Sequence, residues 1–446
     1  GFRGPFCLEC AGHAGMRMTL YNALWTGAAP FGAAWLAASS RHRRLLGRFR
    51  PHVPRLTPPP LWFHACSVGE INAATPLVAA ARKRWPDVPI LLTTSTIGGW
   101  EMARAVRDVD GAALFPFDHP WCVRGFLDRA APRALLLIET ELWPNIISMT
   151  SCRDIPVLLV SGRLSDQSFP SYRRAAWFLR AAVGRIAAAG MQNETCADRL
   201  CALGGRRENV SVTGNIKFDL NLPAMDEAAV RALKTECGFP PDARIVLFGS
   251  TRPGDEQLAA RCWDVLRDRF PDVRLVIAPR HLDRLGEAMA PFQEPLSRRS
   301  EGVQTVSSRA PRVFALDTLG ELSRFYAMAA VAVIGGSFFS GVGGHNPIEP
   351  AAQGVPVILG PDMRSFGDAA RVLTDAGGAV QLSCPDELPD ALCRLLTDSA
   401  GLTAMGHFAR RAMEANRGAI GRTLELIART VPGCAGGHDA DAIEGG

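Results

Sequence analysis

Residues 61–94 read LWFHACSVGEINAATPLVAAARKRWPDVPILLTT. The stretch opens and closes on apolar runs, 61–65 and 90–94, each the length of a buried strand. Between them, 73–84 carries apolar residues at the three- and four-residue spacing of a helix that packs on a sheet. Strand, helical crossover and second strand make a unit whose two strands run parallel. The alternation continues outward through runs at 112–115, 134–138, 157–160 and 186–189, with another amphipathic stretch at 194–203. One doubly wound, Rossmann-like domain is expected over 51–220.

The pattern then starts again. Further strands are expected at 245–248, 275–278, 313–315, 331–334 and 355–359, giving a second Rossmann-like domain over 242–430. A polar, proline-containing linker at 221–241 joins the two. Residues 431–446, rich in Gly and Asp, are expected to be a flexible tail. The fold class is therefore α/β of the GT-B type: two doubly wound domains facing a shared cleft at the carboxyl ends of their sheets, with an N-terminal membrane anchor helix. Glycosyltransferases, epimerases and phosphorylases all use that architecture, so function has to come from the site.

Composition narrows the classes. A chain of 446 residues suits two cores rather than one. With 47% hydrophobic and 21% charged residues it is not a disordered chain. A net charge of +5, without a zinc finger, basic zipper or aromatic RNA-binding signature, gives no nucleic-acid partner. The 12 cysteines lack the spacing of a disulfide scaffold and read as reduced cytoplasmic thiols. Cys7, Cys10 and His13 have the look of a metal knuckle, but no second ligand pair follows at finger spacing. Residues 1–18 are expected to be an extension outside the fold.

Residues 19–40 are apolar and uncharged, include Trp25 and Trp35, and run into Arg41, His42, Arg43, Arg44, Arg48 and Arg50. That is an anchor with a basic flank, spanning 19–50. Its borderline length and Pro30 leave open a single membrane span, a helix lying in the interface, or a helix packed on the first domain. Either membrane arrangement puts the Arg cluster on the cytoplasmic side.

Five motifs carry chemistry. Ser67-Val68-Gly69-Glu70 follows a strand and opens a helix; Glu70 there is a capping-box partner or a general base for a sugar hydroxyl, and spacing does not choose. Glu139-Thr140-Glu141-Leu142-Trp143-Pro144-Asn145 follows another strand. Its two carboxylates are read as pointing in opposite directions, so only one is expected to face the cleft, and an idle one would be costly to bury. In Gly214-Asn215-Ile216-Lys217-Phe218-Asp219, Lys217 meets a ligand anion or pairs with Asp219.

The second domain supplies Pro279-Arg280-His281, whose Arg280 offers a planar fork for phosphate, and Asp317-Thr318-Leu319-Gly320-Glu321 at a helix start. Its last motif is Gly343-Gly344-His345-Asn346-Pro347-Ile348-Glu349-Pro350. Asn346 as cap, Pro347 at the first helical position and Glu349 at the third spell a helix start that could take a phosphate or carboxylate. No dinucleotide fingerprint and no Walker lysine occurs, which excludes the usual hydride-transfer and ATP-hydrolysis sites. Asp108-Val109-Asp110 mimics a metal-binding acidic triplet but reads as a solvated loop, and no metal or other cofactor is needed if Arg280, Lys217 and helix-start dipoles neutralise a leaving nucleotide.

In order and spacing these motifs resemble the 3-deoxy-D-manno-octulosonic acid (Kdo) transferases of lipopolysaccharide assembly, and the resemblance extends from Thr19 to Thr430. It implies a proton acceptor at Glu70 and transition-state stabilisation by Glu139 and Lys217. It also implies CMP-Kdo contacts from Pro279, Arg280, Leu319, Gly320, Glu321, Asn346, Pro347, Ile348 and Glu349. The implied reaction is inverting, metal-independent transfer of Kdo from CMP-Kdo to a lipid A precursor, lipid IVA, at the cytoplasmic face of the cell inner membrane. The acceptor's phosphates would then meet the Arg cluster.

Two stretches depart from the family's pattern. Ser250-Thr251-Arg252-Pro253-Gly254-Asp255-Glu256 stands where a His-Glu-Gly-Glu-Glu run usually follows Ser-Thr, and Thr96-Ile97-Gly98-Gly99-Trp100-Glu101 replaces Thr-Pro-Thr-Gly-Ser-Glu. Both bear on acceptor fit. The rival readings are another GT-B nucleotide-sugar enzyme, a hexosyltransferase or an epimerase, and a non-catalytic membrane scaffold. A scaffold has no need of Glu70, Glu139 and Lys217 together.

Overall fold

The computed structural model describes residues 13–40, 42–220, 225–293, 296–302 and 312–434. Two compact units emerge. The first holds a seven-stranded parallel sheet built from β1 (Leu61–His64), β2 (Ile90–Thr94), β3 (Gly111–Leu114), β4 (Ala134–Ile138), β5 (Val157–Gly162), β6 (Ala188–Met191) and β7 (Val210–Val212), in the order β3-β2-β1-β4-β5-β6-β7. Leu61 pairs with both Ile90 and Ala134. The strand order reverses between β1 and β4, and that switch point is where ligands of open α/β sheets sit.

The second unit repeats the plan with β8 (Arg244–Thr251), β9 (Val273–Pro279), β10 (Leu296–Arg298), β11 (Val313–Ala315), β12 (Ala329–Ile334), β13 (Val357–Leu359) and β14 (Ala379–Gln381). Their order is β10-β11-β9-β8-β12-β13-β14, all parallel, so the switch point falls between β8 and β12. Central strands such as β1, β2 and β4 are buried along their whole length. Helices cover both faces of a parallel sheet, which is why these strands read as continuous apolar runs rather than alternating ones. The sequence reading misses β7, β10 and β14, each three residues long and partly exposed; such edge strands are too short to set up a pattern.

The expected boundaries need correction at four places. The second unit ends at Asn416, not at 430, and the chain from Arg417 rejoins the first unit. Helix Ala419–Thr430 buries Ala419, Leu426 and Ile427 in the same apolar cluster as Leu61, Phe63 and Leu77. Asp219 fixes its start by accepting hydrogen bonds from the amides of Gly418 (2.7 Å) and Ile420 (2.5 Å).

The tail also begins later than 431. Val431 and Cys434 are buried, and the Trp85 indole donates to the Cys434 carbonyl at 3.0 Å; residues 435–446 lie outside the described residues. The linker at 221–241 is largely part of the second unit, because helix Glu227–Glu236 and the turn after it bury Leu233, Cys237 and Phe239 beside Val276 and Phe325.

At the other end, helix His13–Ala38 starts inside the stretch expected to be an extension and runs through Pro30. Cys7 and Cys10 fall outside the described residues. One face of the helix is tied to the first unit. Tyr21 donates to Asp118 at 2.9 Å, Asn145 donates to the Asn22 side chain at 2.8 Å, and the rings of Trp25 and Phe117 lie 5.8 Å apart. The other face leaves Leu20, Leu24, Phe31 and Trp35 more than half exposed. Among the described residues no helix is long and apolar enough to cross a membrane. The spanning arrangement therefore falls for this helix, since Asn22, Thr26, Pro30 and the Gly positions dilute the segment. The flanking arginines are partly engaged: Arg44 pairs with Glu101 at 2.6 Å, and Arg48 donates to the Phe115 carbonyl at 2.9 Å.

Candidate active site

In the first unit, β1 and β4 are neighbours, so the segments that leave their carboxyl ends lie side by side. From β1 the chain enters helix Val68–Arg84 through Ser67, whose hydroxyl oxygen accepts from the Glu70 amide. Glu70 answers with one carboxylate oxygen 2.7 Å from the Cys66 amide and the other 3.2 Å from the Ser67 hydroxyl. The Ser67 cap is thus real, although Glu70 answers the amide of Cys66 rather than that of Ser67 as a capping box would, and these bonds hold the Glu70 carboxylate in one place. Burial drives Glu70 up to about 7, helped by the negative charges of Glu139 and Glu141 against the hydrogen bonds from Cys66 and Ser67. Cap and poised base are therefore one arrangement: the backbone fixes the carboxylate, and its setting keeps it protonatable near neutral pH.

Beyond β4, Glu139 sits in the left-handed region at φ 59°. The expectation that only one of Glu139 and Glu141 reaches the site fails, because residues two apart along an extended chain share a face rather than oppose one another. Glu139 meets the Lys217 ammonium at 2.5 Å, while Glu141 accepts from the Trp143 indole at 2.5 Å and lies 3.8 Å from the His64 imidazole. Lys217 is carried by a short turn whose neighbours Ile216 and Phe218 are buried and whose start Asn215 caps, so the lysine is turned away from that core. Its carboxylate partner is Glu139 rather than Asp219, which is spent on the helix after Gly418. His64 is fully buried, and burial holds its imidazole below its ordinary value.

Burial also pushes the Cys66 thiol up to about 12, which rules it out as a thiolate nucleophile. Cys66, Glu70 and Glu141 are nonetheless the described residues whose donor atoms come within 4.8 Å of one another, near enough to share a cation. A cation there would occupy Glu70 and remove it as a base. Asp110, in the acidic triplet read as a solvated loop, is half-tied: it pairs with Arg82 and accepts from the Ile90 amide at 2.7 Å.

In the second unit the predicted binding residues follow the carboxyl ends of β9, β11 and β12. Arg280 and His281 follow β9, and Asn346 to Glu349 follow the glycine-rich loop after β12. Asn346 accepts from the Ile348 amide at 3.0 Å and donates to Glu349 at 3.1 Å. Helix Ile348–Ala352 starts one residue later than expected and has only 5 residues. At that length it offers a weaker dipole than the helix start the sequence suggests. Burial raises Glu349, opposed by the Asn346 hydrogen bond and the charge of Arg280.

Leu319, Gly320 and Glu321 lie past the end of β11. Leu319 is 80% exposed, and Gly320 takes φ 84°, a conformation that favours glycine. Glu321 does not cap the helix Leu322–Ala327 with its side chain; it is held by Arg299 at 2.9 Å.

The family model described as "3-Deoxy-D-manno-octulosonic-acid transferase (kdotransferase)" matches residues 40–220. The 3-deoxy-D-manno-octulosonic acid transferase of Bordetella pertussis is 35% identical, over 95% of this chain and 98% of that one. The chain belongs to the Kdo transferase family. The Kdo transferase of Haemophilus influenzae agrees, at 31% identity over 87% of this chain and 92% of its own. Among solved structures, UDP-GlcNAc 2-epimerase from Neisseria meningitidis superposes with a TM-score of 0.55 at 11% identity, covering 83% of this chain and 99% of that chain. That likeness is one of fold, GT-B-like with two parallel sheets. In this Kdo transferase, sequence reading selected Glu70, Glu139 and Lys217, which do come together. It gave no role to His64 or Cys66 beside them, set Glu141 against Glu139 as the one cleft carboxylate, and in the second unit quoted Arg252 and His345 within motifs without assigning them a role.

Proposed function

We propose that this Kdo transferase takes CMP-Kdo as donor and a lipid A precursor, lipid IVA, as acceptor, with Glu70 as general base and inversion at the anomeric carbon. The observation that carries the reading is a fixed, partly buried carboxylate at about 7 beside the Glu139–Lys217 pair. An ionised Glu70 takes the proton of an acceptor hydroxyl as its oxygen bonds to the anomeric carbon. The bond from that carbon to the phosphate oxygen breaks, and its electrons leave with CMP. One base and one direct displacement invert the centre. Lys217, with Glu139 holding it, offers positive charge to the negative charge that develops. In the second unit Pro279, Arg280, Asn346, Pro347, Ile348 and Glu349, with Leu319 to Glu321 beyond β11, are assigned to the donor. No metal enters these steps.

The test supplies CMP-Kdo and lipid IVA to enzyme stripped with EDTA, and follows acceptor mass, CMP release and the anomeric configuration of the product. Transfer with inversion is expected. CMP release without a gain in acceptor mass would sink the acceptor assignment, and activity restored only by added metal would sink the metal-free mechanism.

The reading also places the protein at the cytoplasmic face of the inner membrane. Its support is the exposed row Leu20, Leu24, Phe31 and Trp35, next to the arginines at 43–50, a pattern suited to an anionic lipid interface. Wild type is expected to float with vesicles containing phosphatidylglycerol. A Leu24→Glu/Phe31→Glu variant should stay in the soluble fraction, and equal flotation of both would remove this helix as the contact.

A further inference from the structure

Arg252 lies in the stretch 250–256, which the donor assignment leaves unused. It follows β8, directly beside Arg280 after β9 and the loop after β12. Its side chain does not end on a carboxylate: among the described residues none lies within ion-pair distance of the guanidinium. Instead Nε donates to His345 Nε2 at 3.2 Å, and Nη1 meets His281 Nε2 at 2.8 Å. A guanidinium only donates, so both imidazoles present an acceptor nitrogen to it. Burial first, and then the charges of Arg252 and Arg280, drive His345 down to about 4, which keeps it a neutral acceptor.

The backbone beneath is fixed as firmly as the side chain. Ser250 is held at φ 57°. The buried Asp255 carboxylate accepts from the Arg252 amide at 2.9 Å and from the Gly336 amide at 2.6 Å, clamping the turn after β8 to the loop after β12. A strained residue and a buried carboxylate spent on holding a cation in place are features of a preorganised site.

We infer that Arg252, propped by His281 and His345, binds an oxyanion of the donor, either the nucleotide phosphate or the carboxylate of the sugar. Two of its five N–H donors are used by the imidazoles, and the rest are available to an anionic ligand, since among the described residues no carboxylate pairs with the guanidinium. Together with Arg280 it sets two fixed positive charges at the ends of adjacent strands. The inference rests on the donor being CMP-Kdo.

The experiment compares wild type, Arg252→Gln and Arg252→Lys. Dissociation constants for CMP and for cytidine are measured by calorimetry, KM for CMP-Kdo by CMP release, and folding by thermal melting. For phosphate binding, Arg252→Gln should weaken CMP about 10- to 100-fold, leave cytidine within about twofold, and leave the melting temperature in place, with Arg252→Lys between the two. For carboxylate binding, CMP affinity holds while KM for CMP-Kdo rises by the same factor; this also supports the inference and identifies the group. Unchanged CMP affinity and unchanged KM overturn it, as does an equal loss for CMP and cytidine, which makes Arg252 a purely structural residue. A folded wild type that binds no CMP refutes the donor assignment instead, a result separate from any effect of the substitution.

Discussion

Replacing Glu70 with Gln is expected to lower kcat for transfer by about 100-fold or more, the usual contribution of a positioned general base. Affinity for CMP should stay within about twofold, because no donor-binding residue is touched. Gln is the informative substitution. Its carbonyl oxygen still accepts from the Cys66 amide, as Glu70 does at 2.7 Å, so the cap survives while the base is lost. Glu70→Ala removes both and would confuse a stability effect with a catalytic one, since loss of a cap alone costs about 1 kcal/mol.

The pH dependence gives a second readout. Glu70 stands at about 7, raised first by burial and then by Glu139 and Glu141. Only its ionised form is a base, so kcat/KM in wild type should climb through pH 6–8 as the proton leaves. In Glu70→Gln the residual rate should lose that limb. The same raised pKa has a stability consequence of opposite direction. A carboxyl raised on folding stabilises most fully below its unfolded value, and that contribution is lost as pH rises through about 7. Activity rising while stability falls over one pH window is the signature to look for in parallel rate and melting curves. A flat kcat/KM between pH 6 and 8 in wild type, or a Glu70→Gln rate near that of wild type, would return Glu70 to being a cap and nothing more.

The sheets were readable because each central strand is buried on both faces and so announces itself as an unbroken apolar run, as at 134–138. What escaped was whatever depends on contacts far apart in sequence. The return of helix Ala419–Thr430 to the first unit is fixed by Asp219, about 200 residues earlier, and its own amphipathic pattern would serve either sheet equally well. Glu141 was misjudged because the reading sets it and Glu139, two residues apart, in opposite directions, whereas residues at that spacing on an extended chain share a face. His64 looked like one more residue of an apolar strand, and only its 3.8 Å approach to Glu141 brings it to the site. Arg252 looked like a local departure until the loop after β12 brought His345 to it. The residues that could be named in advance sit at strand ends, where the topology of an open α/β sheet already says that ligands bind.

Lys217→Met should produce the other large effect, and here stability and catalysis can be separated. The Lys217–Glu139 pair is short, at 2.5 Å, and each side chain is 18% exposed. Removing the lysine strands a carboxylate that is mostly out of water. For a pair buried to this degree the cost should be roughly 2–3 kcal/mol, below the range for fully buried pairs because some solvent reaches it. That corresponds to a fall of about 5–10 °C in the melting of the first unit. The stranded negative charge also lies close to Glu70, which Glu139 already pushes up, so the rising limb of the pH profile should move to higher pH.

Glu139→Gln should move that limb the other way, toward lower pH, because one source of the raised Glu70 value is gone. The double variant Glu139→Gln/Lys217→Met leaves no charge stranded, so it should recover most of the melting temperature lost in Lys217→Met. If Lys217 offers its charge to the reaction, transfer in the double variant should still be about 10- to 100-fold below wild type, the loss typical of removing one electrostatic contact to a transition state. Recovery of stability without recovery of rate is the expected outcome. If both return together, the pair only keeps the chain at Glu139 in its left-handed turn, and Lys217 is not a source of charge for the reaction.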